Sequence, residues 1–159
     1  MKNFKFVLLA IVAVLTFSCS SSGNGSSSSD STYIRFKVNG GSEIRMENPG
    51  TITSMMASIS ATEDSGSDIR AIFFTVPVEV ATGAHTITDA SGSDLTAYSA
   101  DYSLGDVYVT ATGGTFTITS IGAEYMEGTF SFTGVDSDSG TTYNITNGTF
   151  RVYKPTPAG

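Results

Sequence analysis

Gly114-Thr115-Phe116-Thr117-Ile118, Gly128-Thr129-Phe130-Ser131-Phe132 and Gly148-Thr149-Phe150-Arg151-Val152 share one pattern: glycine, threonine, then two large apolar side chains two residues apart. A spacing of two is the spacing of residues on one face of a β-strand, so each segment turns its apolar pair to one side. Successive copies lie 14 and 20 residues apart, too uneven for a solenoid repeat. The pattern predicts three neighbouring strands of one antiparallel sheet facing a common core.

Alternation continues on both sides of these segments. Ile34, Phe36 and Val38 fall on one face of a first strand, with Tyr33, Arg35 and Lys37 on the other, and Asn39-Gly40-Gly41 supplies a turn. Residues 52–60 are predicted as a second strand region carrying Met55, Met56 and Ile59, closed by the polar run from Thr62 to Asp68. Residues 69–76 contain Ile72-Phe73-Phe74, apolar on both faces, and are predicted as the centre of the core; Pro77 lacks an amide hydrogen and ends ladder pairing. Shorter strands are predicted over 84–88, 95–100, 107–110, 115–121, 125–133 and 143–153. Nine or so short strands in one domain predict an all-β fold, a single antiparallel β-sandwich or small barrel.

Asn147-Gly148 has two readings. Asn-Gly is a strong two-residue hairpin signal, but Ile145 and Phe150 differ in parity, which a glycine bulge inside one long last strand also explains. The bulge is favoured, because a hairpin would leave flanking halves of only four or five residues.

The first residues belong to a different class. Lys2 and Lys5 precede an apolar run from Phe6 to Phe17 interrupted only by Thr16, and Ser18-Cys19-Ser20 follows. This is the anatomy of a secretory signal peptide over residues 1–18. Some 12 apolar residues fall short of the roughly 20 that span a bilayer as a helix. Cys19 is the one cysteine, so no intramolecular disulfide can form. The stretch Leu15-Thr16-Phe17-Ser18-Cys19 resembles a relaxed bacterial lipobox of the Bacteroidota kind. Cys19 is therefore expected to be the lipid-modified first residue of the mature chain; ordinary signal cleavage nearby with a free thiol is the alternative. Residues 20–31 contain Ser, Gly, Asn and Asp alone and read as a flexible tether, with an r.m.s. reach of roughly 19 Å. The domain organisation is thus leader 1–18, lipidated Cys19 and tether 19–31, β domain 32–154, and tail 155–159.

Charge excludes some partners. Loss of Lys2 and Lys5 with the leader takes the formal charge from −7 to −9, since all 15 acidic residues lie downstream. Nucleic acid and anionic headgroups repel such a domain.

Catalytic chemistry finds no constellation. His85 is the single histidine, with no nucleophile or second base beside it in sequence, and it reads as an exposed strand histidine. No metal or other cofactor is expected. Asp136-Ser137-Asp138-Ser139-Gly140 does place carboxylates at Asp136 and Asp138 before a glycine, as calcium loops do. The twelfth position is Asn147 rather than a bidentate Glu, however, and turns use the same residues. Tyr98, Asp101, Tyr102 and Tyr108 cluster in sequence and form a candidate ligand contact, because tyrosine offers an amphipathic platform to a glycan; packing along the sheet is the competing reading. Met55, Met56 and the phenylalanines would line a lipid-carrying barrel or fill a solid core, and the core is expected. Asp30-Ser31-Thr32 resembles a short O-glycosylation acceptor of the Bacteroidota, with Ser31 as the modified residue.

The relaxed lipobox, the Ser/Gly tether, Tyr33 to Gly40 at the domain start, and Gly128 to Phe132 followed by Ile145 to Val152 at its end resemble a family of small Bacteroidota envelope lipoproteins of unknown function. The resemblance implies an envelope location and supplies no catalytic residues. The expectation is a non-enzymatic, lipid-anchored outer-membrane protein that acts by binding, as an accessory module for envelope proteins. The alternative is a glycan-binding or adhesive surface lipoprotein. The first acidic residue after Cys19 is Asp30, 11 positions later, which favours the periplasmic face over the cell surface.

Overall fold

A computed structural model describes residues 31–89 and 94–156. These form one all-β domain, a single antiparallel sheet curled strongly into a half-barrel. Its strands are β1 (Tyr33–Val38), β2 (Glu43–Glu47), β3 (Gly50–Thr53), β4 (Ala57–Ser65), β5 (Asp68–Val76), β6 (Gly83–Ile87), β7 (Ser99–Leu104), β8 (Val107–Ile121), β9 (Tyr125–Asp136) and β10 (Thr142–Tyr153). Their order across the sheet is β2-β1-β10-β9-β8-β7-β5-β4-β3, and β6 pairs with the far half of β8, beyond the reach of β7. The two edge strands, β2 and β3, are consecutive in the chain, joined through Asn48 (φ 54°) and the buried Pro49. One bent segment therefore borders the sheet at both edges, and the curl brings those edges towards each other.

Adjacent strands β8, β9 and β10 carry the three Gly-Thr-Phe segments, all with their apolar pair turned to the same interior. Cross-strand register shows what the glycines do. Gly114 pairs with Phe132, Gly128 with Phe150 and Gly148 with Phe130. Read across β8, β9 and β10, three of the interior rows are Gly114–Phe132–Ile145, Phe116–Phe130–Gly148 and Ile118–Gly128–Phe150. Each of these holds one glycine, on a different strand each time. A Cβ at Gly128 would lie 1.9 Å from the Thr117 carbonyl oxygen and 2.6 Å from Phe150 Cζ, one at Gly114 2.3 Å from the Ser131 carbonyl oxygen and 2.6 Å from Phe132 Cβ, and one at Gly148 2.5 Å from Phe130 Cδ2 and from the Phe130 carbonyl oxygen. Glycine in these rows lets the neighbouring backbone and, at Gly128 and Gly148, the neighbouring ring come close on the crowded inner face of a curled sheet.

Three bulges keep the long strands in phase with that interior. In β10, Thr146 and Asn147 together oppose Ser131, with Asn147 at φ 54°, so Ile145 and Phe150 both point inward despite their parity. Asn147-Gly148 is thus a bulge within one strand. β8 shifts register between Ala111 and Gly113 and again between Ile118 and Ser120. Its inward set passes from Val109 and Ala111 to Gly114, Phe116 and Ile118, and then to the partly buried Ile121. That is why the period-two pattern of residues 107–110 and 115–121 suggested two strands where there is one.

Several sequence expectations need correction. β2 was missed, because its Glu, Arg and Glu outward residues conceal the inward pair Ile44 and Met46. The region predicted over 52–60 is broken at 54–56, where Met55 sits at an exposed tip. The polar run from Thr62 is not a loop: β4 continues to Ser65, and Gly66 (φ 73°) and Ser67 turn tightly into β5. The strand expected over 95–100 begins only at Ser99. Residues 69–76 do feed the core through Ile72, Phe74 and Val76, but β5 is third from one edge of the sheet, and β8 is central.

The interior is filled rather than hollow. Phe74 meets Phe130 and Phe116 at ring-centroid distances of 4.7 and 5.1 Å, Phe116 stacks on Phe150 at 4.6 Å, and Phe36 lies 6.0 Å from Tyr102 in an edge-on contact. We expect Gly128→Ala to destabilise the fold by about 2–4 kcal/mol in denaturant unfolding, through collision with the Thr117 carbonyl oxygen and the Phe150 ring. Gly113→Ala, where a Cβ meets nothing within 4 Å, is expected to change stability by no more than about 0.5 kcal/mol.

Candidate functional site

Antiparallel alternation gives the half-barrel two poles. At one, β1 begins and β10 ends, so Thr32 and Tyr153 lie there; at the other, β1 ends and β2, β5, β8 and β10 begin. The packed aromatic rows stop short of the second pole. A cavity of about 490 Å³ opens there, lined by inward-facing Val38, Ile44, Leu104, Val107 and Tyr143.

Two charged side chains break this apolar lining. Arg70 precedes Ile72 and Phe74 on the inward face of β5, and Glu63 follows Ala61 on the inward face of β4. Their guanidinium and carboxylate form an ion pair across the β4–β5 ladder. Burial alone would lower the Arg70 pKa; hydrogen bonding to Tyr102 and Glu63 outweighs it and raises the pKa, so the cation is held firmly. The Arg70 Nε remains buried without a hydrogen-bond partner, as does the Arg151 Nε outside the cavity. A donor left unpaired in a desolvated place is costly unless something else accepts from it. Glu43 and Arg45 stand on the cavity rim, the latter paired with Glu47.

The tyrosine cluster divides between two faces. Tyr98 and Tyr102 point inward and are buried, with Tyr98 stacked on His85 at 4.3 Å and Tyr102 lining the cavity. Asp101 and Tyr108 are on the outer face, close enough to interact. Burial raises the Asp101 carboxyl pKa, Asp89 adds to this, and hydrogen bonds from Thr110 and Tyr108 oppose it. Burial and the Asp101 charge raise Tyr108, and burial raises Tyr98. Of the four, Tyr102 alone belongs to the cavity.

Asp136 has its carboxylate occupied. Oδ1 accepts from the Tyr108 backbone N at 2.9 Å, and Oδ2 accepts from the backbone N and hydroxyl of Ser139. These bonds, led by the Ser139 hydroxyl, lower its pKa and tie the β9–β10 turn to β8. Asp138 is exposed, and Gly140 takes φ 67° to complete the turn. His85 is half-buried, its Nε2 2.9 Å from the Ala81 carbonyl oxygen. Ser31 is exposed one residue before the buried Thr32, while Cys19 and Asp30 lie outside the described residues.

Arg70 and Glu63 were not among the sequence candidates. Arg70 did carry a signal, since it shares strand parity with Ile72 and Phe74. Glu63 did not, because the run that contains it reads as a polar loop.

The chain matches no protein-family model, no curated protein and no solved structure.

Two outcomes follow for these groups. Glu63→Leu should destabilise the domain by about 1–3 kcal/mol, the lower part of the range for a stranded buried charge because both side chains keep some exposure. The double variant Glu63→Leu/Arg70→Met should recover most of that loss in urea titration. Asp136 has a lowered pKa, so its stabilising contribution is complete above the unfolded carboxyl pKa of about 3.9 and disappears as pH falls through its own lower value. The Tm advantage of wild type over Asp136→Asn should therefore shrink on acidification below about pH 4.

Proposed function

We propose that this chain is a non-catalytic, membrane-tethered envelope lipoprotein that acts by binding, and that its binding site is the cavity at the pole away from the tether. The carrying observation is the Arg70–Glu63 pair with its unpartnered Nε, set in an otherwise apolar cavity beside the Tyr102 ring. Ligand sites combine an apolar lining with a few convergent polar groups in this way. The guanidinium and carboxylate would fix the orientation of an incoming group, and Val38, Ile44, Leu104 and Val107 would supply contact area.

The tether supports the same arrangement. An anchor on Cys19 followed by a tether over residues 19–31 would leave the cavity facing away from the membrane, where envelope components can reach it. Glycan binding through the four clustered residues gains no support from their positions, because two are buried and two lie on the outer face.

The test is extraction of the native lipoprotein in mild detergent, followed by co-purification and native mass spectrometry. A reproducible bound component is expected with wild type. It should be lost in Leu104→Glu and weakened roughly tenfold or more in Arg70→Met, on the scale of a charge-assisted hydrogen bond of about 1.5–3 kcal/mol, with both variants still folded by circular dichroism. A protein that is always monomeric and free of any adduct would overturn the proposal.

A further inference from the structure

We infer that the opposite pole, where the tether enters the domain, is a membrane-contact surface that rests on the headgroup region of a zwitterionic bilayer. This inference rests on the anchored reading above and adds an orientation to it.

Three apolar side chains stand out from this pole. Met55 is 77% exposed at the tip between β3 and β4, Ile52 is 72% exposed on β3, and Tyr153 is 50% exposed at the end of β10. Thr51 Oγ1 donates to the Tyr153 carbonyl oxygen at 3.1 Å, which ties β3 to the end of β10 at this pole, and the Tyr153 ring packs on Tyr125 at a centroid distance of 5.1 Å. Nothing in the packing of the domain requires Ile52 or Met55 to be apolar. Isolated exposed apolar residues are ordinary, but these share a pole with Thr32, the point at which residues 1–31 join the fold.

That coincidence identifies the occupant. With Cys19 held in lipid and a tether of 12 residues running to Ser31, this pole is the part of the domain that meets the bilayer most often. Tyrosine suits such a boundary, with an apolar ring and a polar tip, and Ile52 and Met55 can enter the headgroup layer without unfolding anything. Charge limits the surface to a zwitterionic one. Glu127 is paired with Arg151 near this pole, and Lys154 lies next to Glu124, its backbone N bonded to the Glu124 carbonyl oxygen at 2.8 Å, so the local charge is largely balanced. The mature chain as a whole is acidic, and anionic lipid would repel it.

The sequence contains no tryptophan, so single reporters can be introduced. The full lipoprotein carrying either Ile52→Trp or Ile69→Trp is reconstituted into phosphatidylcholine/phosphatidylethanolamine vesicles with brominated acyl chains. Ile69 is 63% exposed and lies next to Arg70 at the cavity pole. The Ile52→Trp reporter is expected to show several-fold stronger bromine quenching and bluer emission than the Ile69→Trp reporter. Adding Met55→Asp should sharply reduce the difference at unchanged Tm. Equal quenching of both reporters, or quenching of neither while the protein still floats with the vesicles, overturns the contact surface and leaves anchoring intact. Failure to float at all overturns the anchoring and this contact with it.

Discussion

The inner face of a strongly curled sheet has less room than its outer face, and this structure depends on how that shortage is met. Gly114, Gly128 and Gly148 each stand opposite a phenylalanine on the adjacent strand, and each of the three phenylalanine-bearing interior rows of β8, β9 and β10 contains one of them. Three aromatic side chains abreast would force the strands apart or flatten the sheet. With a glycine in each row the rings interdigitate, and Phe74 on β5 can close over them from the far side of the curl. Glycine in a strand weakens it locally through entropy and lost packing. Here the neighbouring ring supplies the packing that the missing side chain would have given.

The bulges serve the same interior. A strand of 12 or 15 residues in a tightly curled sheet cannot hold one phase along its whole length, because twist and curl carry its side chains off the inner face. The extra residue at Thr146–Asn147 and the two register shifts in β8 reset that phase. They let single long strands supply two or three groups of core residues each. The outer face that results is rich in Thr and Ser, in keeping with β-branched residues on a solvated pleated surface.

Where the aromatic rows end, the chemistry changes. Towards the end of β1 the interior holds Arg70, Glu63 and the Tyr102 ring in place of further phenylalanines. A buried ion pair is a poor route to stability, since apolar residues of similar volume commonly do as well. Here the pair sits at an open mouth rather than in the packed interior. Thr32 and the exposed Ile52, Met55 and Tyr153 lie at one pole, and the cavity with its ion pair, together with the exposed Ile69, at the other.

The sequence by itself determined the all-β class, the single domain beginning near Thr32, and the adjacency of the three Gly-Thr-Phe strands. It also supported the bulge at Asn147-Gly148. All of these follow from local rules, the period of two and the conformational preferences of Asn and Gly. Tertiary structure alone decided that the sheet curls on itself rather than splitting into a sandwich, that β2 and β3 are halves of one bent segment, and that β8 is one strand. It also decided that Arg70 meets Glu63 while Tyr98 and Tyr102 part from Asp101 and Tyr108. The physical reason is that period two tells which residues share a face within one strand, but not which way that face turns. Direction is set by closure of the whole sheet, and it was closure that turned Glu63, in a run that reads as a polar loop, into the wall of a cavity.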